Sequence, residues 1–182
     1  MTNMRCKDYI GKNTMKVLII TLVFSWLTAC DTSRSDISFE VQKKGSKVEI
    51  EYRVILPKYY FFRLDFLHNK GDRQDRDRVK RLVGGFIKEN GEWVQKPGVP
   101  FSLRLKIDKL EGAGSKQVFD ENIFDSTKIS IQENSFGKII AVVPLKPGVY
   151  RFTIESLKDV PELNGTPVLF NFYINTKTFP TL

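Results

Sequence analysis

The feature that most restricts the fold of this chain is a hydrophobic period of two that returns along most of its length. Val48, Ile50, Tyr52, Val54 and Leu56 alternate with Lys47, Glu49, Glu51 and Arg53. Successive side chains of a β-strand point to opposite faces, so such a run buries one face and leaves the other in water. The same alternation links Ile37, Phe39 and Val41; Tyr60, Phe62, Leu64 and Phe66; Phe101, Leu103, Leu105 and Ile107; Tyr150, Phe152 and Ile154; and Val168, Phe170, Phe172 and Ile174. Tyr59, Phe61 and Leu67 add apolar residues to the other face of the second of these runs, which predicts burial on both sides there. Lys138 to Val143 (KIIAVV) reads as a short buried strand, and Lys116–Phe119 and Lys128–Gln132 are weaker candidates. About seven strands with frequent Gly and Pro turns predict an all-β, antiparallel sandwich.

Local punctuation refines this picture. Lys44-Gly45-Ser46 between the first two runs predicts a hairpin, and Pro57 ends the second strand because proline cannot donate to a ladder. Lys70 to Arg81 (KGDRQDRDRVKR) is almost wholly charged and breaks the alternation. Asp72 can cap a short helix there that ends at Gly84, with Val79, Leu82 and Val83 as its apolar residues. This short charged helix or loop would join two strands across the end of the sandwich.

The first thirty residues have a different character. Met1 to Lys16 carry Arg5, Lys7, Lys12 and Lys16 against Asp8; Val17 to Leu27 is an uncharged, mostly apolar run; Leu27-Thr28-Ala29-Cys30 follows at once. A basic start, a short apolar stretch and a small-residue cleavage site form a secretory signal. As a helix the apolar run would span about 16 Å at ~1.5 Å per residue, short of the roughly 30 Å hydrocarbon core of a bilayer. Met15, directly before the run, is a second candidate start beside Met1 and Met4.

Leu27-Thr28-Ala29-Cys30 resembles the lipobox of bacterial lipoproteins. The resemblance implies that residues 1–29 are a cleaved leader and that Cys30 becomes the acylated mature N-terminus. Asp31 resembles the signal that retains enteric-type lipoproteins in the inner membrane, so the implied location is the periplasmic face of that membrane, with the outer membrane as the alternative. Residues 30–36 read as a polar tether, and residues 37–182 as a single domain. Two or more acyl chains hold a protein stably, at about 0.8 kcal/mol per buried CH₂. A second resemblance is local. Leu145-Lys146-Pro147-Gly148-Val149-Tyr150, followed by alternating apolar residues, is similar to the stretch before a late strand in immunoglobulin-like and fibronectin-like modules. It implies that Tyr150 forms a corner, its hydroxyl bonding back to nearby backbone.

Charge and cysteine usage narrow the partners. Losing residues 1–29 lowers the net charge of +8 by three, to +5. That excess suits anionic headgroups near the anchor and is too small to argue for nucleic acid. Of the two cysteines, Cys6 lies in the leader and Cys30 takes the lipid, so no disulfide is available to the domain.

A search for chemistry finds no catalytic set. His68, the one histidine, reads as a surface residue at a strand end, and no G-x-S-x-G elbow supplies a nucleophile. One histidine without a free cysteine makes a zinc site of the usual type improbable. Asp72, Asp75 and Asp77 are interleaved with Arg73, Arg76 and Arg78, a pattern that neutralises itself without calcium. Gly112–Lys116 fails the phosphate-loop spacing and reads as a hairpin turn; Asn164-Gly165 reads as a turn as well. Trp93, between Glu89 and Pro97 in a Gly/Pro-flanked loop, is a packing lid or a ligand-facing aromatic.

These readings lead to an expectation of a non-enzymatic, lipid-anchored envelope protein, held in the membrane by Cys30, without cofactor or metal, that binds a protein partner or supports an envelope assembly. The chain resembles small lipoproteins built on domains of unknown function. The alternatives are a periplasmic immunity lipoprotein that neutralises a delivered toxin and a glycan- or peptidoglycan-binding lipoprotein. Arg73, Arg76, Arg78, Lys80, Arg81 and Trp93 form the candidate binding surface.

Overall fold

The computed structural model describes residues 36–124 and 129–174; of Ile87, Lys88, Glu89 and Trp93 it describes the backbone alone. Cys30 and Asp31 lie outside the described residues. Strands β1 (Ile37–Ser38), β2 (Lys47–Val54) and β3 (Lys58–Leu67) precede helix α1 (Arg73–Val83). Then follow β4 (Gly85–Glu89), β5 (Glu92–Lys96), β6 (Ser102–Glu111), β7 (Gly114–Phe124), β8 (Ile129–Ile131), β9 (Ser135–Leu145), β10 (Gly148–Ser156) and β11 (Val168–Ile174). One sheet has the order β1-β11-β3-β9-β8, a second β2-β10-β6-β7, and β4 and β5 form a separate hairpin. All pairings are antiparallel. The described residues form an all-β sandwich with one α-helix among them.

The period of two explains the core. Tyr60, Phe62, Leu64 and Phe66 on β3, Phe170 and Phe172 on β11, and Leu103, Leu105 and Ile107 on β6 are buried together with Phe152 and Ile154 on β10. Phe152 lies at the centre, its ring 5.1 Å from Phe62, 4.9 Å from Phe172 and 6.0 Å from Tyr52. Edge-to-face packing of this kind adds to area burial. The Tyr150 hydroxyl donates to the Lys146 carbonyl at 2.8 Å, the corner bond that the local resemblance implied.

Three expectations change. Ile37–Val41 and the run from Val48 do not pair as a hairpin: β1 joins β11 and β2 joins β10. Phe39 and Val41 are buried in the core, and the chain crosses from one sheet to the other there. Gly45 and Ser46 bond across to Ser156 instead of closing a two-stranded ladder. Glu89–Pro97 is no loop but the turn and second strand of the β4–β5 hairpin, with Trp93 on β5 opposite Lys88. His68 is buried: its ring packs 5.5 Å from Phe136 and its amide bonds to Asn134, so the strand end is covered.

The five-stranded sheet also carries a buried polar cluster on the face opposite the core. Arg63 Nη2 donates to Asp65 Oδ2 at 2.6 Å, and Asn171 Nδ2 donates to the same oxygen. Tyr173 covers the Arg63 guanidinium at 5.3 Å. Gly137 leaves the room: a Cβ there would stand 2.6 Å from both Asp65 Oδ1 and Ser130 Oγ. Asp65 is 2 % exposed and Asn171 0 %, so the cluster is part of the packing and has no space for a ligand.

Breaking such a buried pair leaves an uncompensated charge. Asp65→Ala is expected to cost about 3–5 kcal/mol, and Tyr150→Phe, which loses one hydrogen bond, about 1 kcal/mol. Urea unfolding of the two variants at equal ionic strength checks both figures and their order.

Candidate functional site

Helix α1 forms as its caps dictate. Asp72 accepts a hydrogen bond from the Asp75 amide at 3.0 Å, which satisfies one of the four free amides of a helix start. Val79 and Val83, one turn apart, are buried against the core. At the far end Gly84 has φ 81°, and its amide bonds to the Lys80 carbonyl. Only glycine fits there on two counts: the left-handed φ, and a Cβ that would stand 2.3 Å from the Gly98 backbone nitrogen. Gly98 is restricted in the same way, with a Cβ 2.2 Å from the Val83 carbonyl oxygen. The Val99 amide donates to Leu82 at 2.7 Å. The helix end and the chain leaving β5 are thus pressed backbone to backbone, and the hairpin between them is fixed at its base.

This contact creates a groove of ≈ 460 Å³, a size common for ligand sites. Phe86 on β4 and Gln95 on β5 form one wall, and Lys80, Gly84 and Gly85 at the end of α1 a second. Ile129 and Ile131 on β8, with Phe136 on β9, form the third. Phe86 is 62 % exposed and Ile131 65 %, although both are large and apolar. Gly85 lies close below: a Cβ on it would meet Ile129 Cδ1 at 2.8 Å.

The basic candidates divide along the helix. Arg78 is tied down, with Nε and Nη2 donating to Asp75 Oδ1 at 2.9 and 2.8 Å and Nη1 to Thr166 Oγ1 at 2.9 Å. It joins α1 to the start of β11 and is structural. Among the described residues, Arg73, Arg76, Lys80 and Arg81 have no acidic partner within ion-pair distance. Of the five basic candidates Lys80 lines the groove. Trp93 shares the hairpin with Phe86 and Gln95, and its backbone pairs with Lys88. The charged segment does neutralise its central acid, as the interleaved arginines suggest, but as a helix with Asp75 bonded to Arg78.

Phe86, Gln95 and Phe136 are the site residues that the alternation pattern does not single out, while Ile129 and Ile131 lie in the weaker candidate strand Lys128–Gln132. The available signal was Asn90-Gly91, a two-residue hairpin turn between Phe86-Ile87 and Trp93-Val94. Asn90 has φ 51° and Gly91 φ 91°, the pair of positive values that this turn requires.

The helix start responds to acid. Asp75 accepts from the Asn69 amide at 2.7 Å and from Arg78, which holds its carboxyl below the usual carboxylate range. A depressed carboxylate stabilises the fold above its unfolded value of about 3.9, and that stabilisation is lost as pH falls through the lower folded value. The protection factors of the amides of residues 73–78, taken relative to free peptide at the same pH, should therefore fall below about pH 4. In Asp75→Asn the same amides should exchange faster at neutral pH and lose most of this pH dependence.

Comparison with known proteins adds a family and a fold. The crystal structure of a protein from Sulfurospirillum deleyianum superposes with a TM-score of 0.67, at 20 % identity, over 81 % of this chain and 100 % of that one. At this identity the likeness speaks for the sandwich alone. No curated protein matches the chain. Residues 36–174, which hold every described strand, match the domain of unknown function DUF5625, and the chain belongs to that family.

Proposed function

We propose that this chain is a lipid-anchored, non-catalytic protein of the bacterial cell envelope whose sandwich binds a protein partner through the groove between α1, the β4–β5 hairpin and β8. The observation that carries the reading is the pair of exposed apolar side chains, Phe86 and Ile131, that line a formed groove together with Lys80, which has no acidic partner among the described residues. Exposed apolar surface in a built concavity marks interaction sites. The anchor rests on the leader of the sequence, with Cys30 as the lipidated residue and Asp31 as the sorting residue that favours the periplasmic face of the inner membrane. No helix among the described residues is long and apolar enough to cross a membrane.

Geometry supports the division of labour. Asp36, the end of the tether, leads into β1 at one edge of the five-stranded sheet, and β8 is the other edge. Four inter-strand spacings of ~4.8 Å separate them by about 19 Å, so a partner at the groove approaches away from the strand that continues from the tether. His68 packs under Phe136 with Nδ1 near the Asn69 carbonyl, and among the described residues no hydroxyl or thiol is hydrogen-bonded to it.

Two measurements test the two halves. Cys30→Ser should leave the leader uncut and abolish incorporation of labelled palmitate into the protein; unchanged processing and labelling overturn the anchor. A photo-crosslinking residue at position 86 in the acylated protein should give one discrete adduct in intact envelopes, absent when the probe sits at 116 on β7. Equal labelling from both positions overturns the groove as the binding site.

A further inference from the structure

We propose that β8 is a strand-addition edge: the partner contributes an extended segment that pairs with Ile129–Ile131, inserts apolar side chains beside Phe86 and places a carboxylate against Lys80. This deepens the reading above and rests on it.

The pairing geometry on β8 carries the argument. The register runs Ile129↔Lys138, Ser130↔Gly137, Ile131↔Phe136, and the Gln132 amide bonds to the Ser135 carbonyl at 2.9 Å. Antiparallel pairs alternate between bonded and non-bonded positions. Gln132–Ser135 is a bonded position, so Ser130–Gly137 is the next, and Ile129 and Ile131 fall on non-bonded positions. Their backbone N–H and C=O groups therefore point away from β9, to the open edge of the sheet. Among the described residues nothing pairs with that edge.

The side chains agree with the backbone. Ile129 and Ile131 share one face of β8 and line the groove with Phe86. A segment laid along the edge satisfies the outward backbone groups while every second side chain enters the groove, the mode of recognition in which main-chain bonds give affinity and pockets give specificity. The long edges of the second sheet, β2 and β7, are guarded. β2 carries Lys47, Glu49, Glu51 and Arg53, and β7 carries Lys116, Asp120 and Glu121, charges that discourage further pairing. β8 reads Ile-Ser-Ile. Charge selects the occupant: Lys80 on the groove wall, with Arg76 and Arg81 on the same helix, lacks an acidic partner among the described residues, so an acidic segment is favoured over a basic one.

The blocked peptide Glu-Val-Thr-Val-Thr-Val-Glu serves as the probe, added to the folded domain. Binding should shift the Ile129 and Ile131 amide resonances and protect both from exchange. Ile131→Pro removes one outward donor and no bond to β9, so the fold persists while affinity falls by about tenfold or more. Backbone N-methylation of the peptide should abolish binding, and Lys80→Glu or replacement of the peptide's Glu by Lys should weaken it. Shifts confined to side chains, or equal binding of the N-methylated peptide, overturn strand addition in favour of an apolar ligand such as an acyl chain. A concentration-dependent dimer that Ile131→Pro dissolves, with no peptide binding, overturns it in favour of a second copy of the chain. A discrete envelope adduct at position 86 with no peptide protection at Ile129 and Ile131 sinks this inference and leaves groove binding standing.

Discussion

With no cysteine in residues 31–182, the two sheets are held together only by the side chains packed between them. Everything else in the molecule follows from how completely that interior is filled. Phe62, Phe152, Phe172 and Tyr52 interlock at its centre in tilted and edge-to-face contacts, and leucines and isoleucines of β6 fill the space beside them. A sandwich that uses its apolar residues in this way has few left for its ends. Large apolar residues appear outside at Ile55, Leu56, Phe124, Phe86 and Ile131, and of these Phe86 and Ile131 line one groove.

The end of the sandwich is organised by a different kind of contact. Gly84 and Gly98 allow two stretches of backbone to approach more closely than any side chain permits, and the Val99–Leu82 hydrogen bond holds them there. A hairpin of two five-residue strands is marginal by itself in water. Fixed at its base against α1, it becomes a wall. The helix is held in turn by Val79 and Val83 in the core and by Arg78, which reaches Thr166 at the start of β11. The groove is thus a product of rigid neighbours, and its cations are placed by a helix whose own stabilising charges, Asp75 and Arg78, are already spent on each other.

Much of this was legible in the residues. The core strands announce themselves because a half-buried strand must alternate, and the helix because Asp72 and Gly84 are the chemistry of its two ends. Tyr150 was legible as a corner through the Pro147-Gly148 turn before it. The partnership of β1 with β11 was not, since Phe39 and Val41 alternate equally well in either sheet and Gly45 permits a hairpin as readily as a crossing. His68 is polar and sits where a strand ends, yet the β8–β9 turn covers it through Asn134 and Phe136, a long-range contact that no local pattern encodes. The groove was invisible for the same reason. It joins residues 80–86, 95 and 129–136, which are brought together by a glycine-to-glycine contact, and Gly98 looks in the sequence like any loop glycine.

The placement of charge around the rim of the sandwich ties these points together. A β-protein must keep its edges from pairing with whatever strand passes, and β2 does so with alternating Lys, Glu and Arg and β7 with Lys116, Asp120 and Glu121; Arg151 pairs with Glu49 and Glu51, and Arg104 with Asp120. Those charges would have to be stripped of water by any added strand. At β8 the opposite choice is made: its residues are apolar or neutral. Its length of three residues then matters, because so short an edge offers too few backbone bonds to hold an arbitrary strand. An incoming segment must gain the rest from the groove and from Lys80, which ties edge pairing to the side chains of the partner and makes the exposed edge selective.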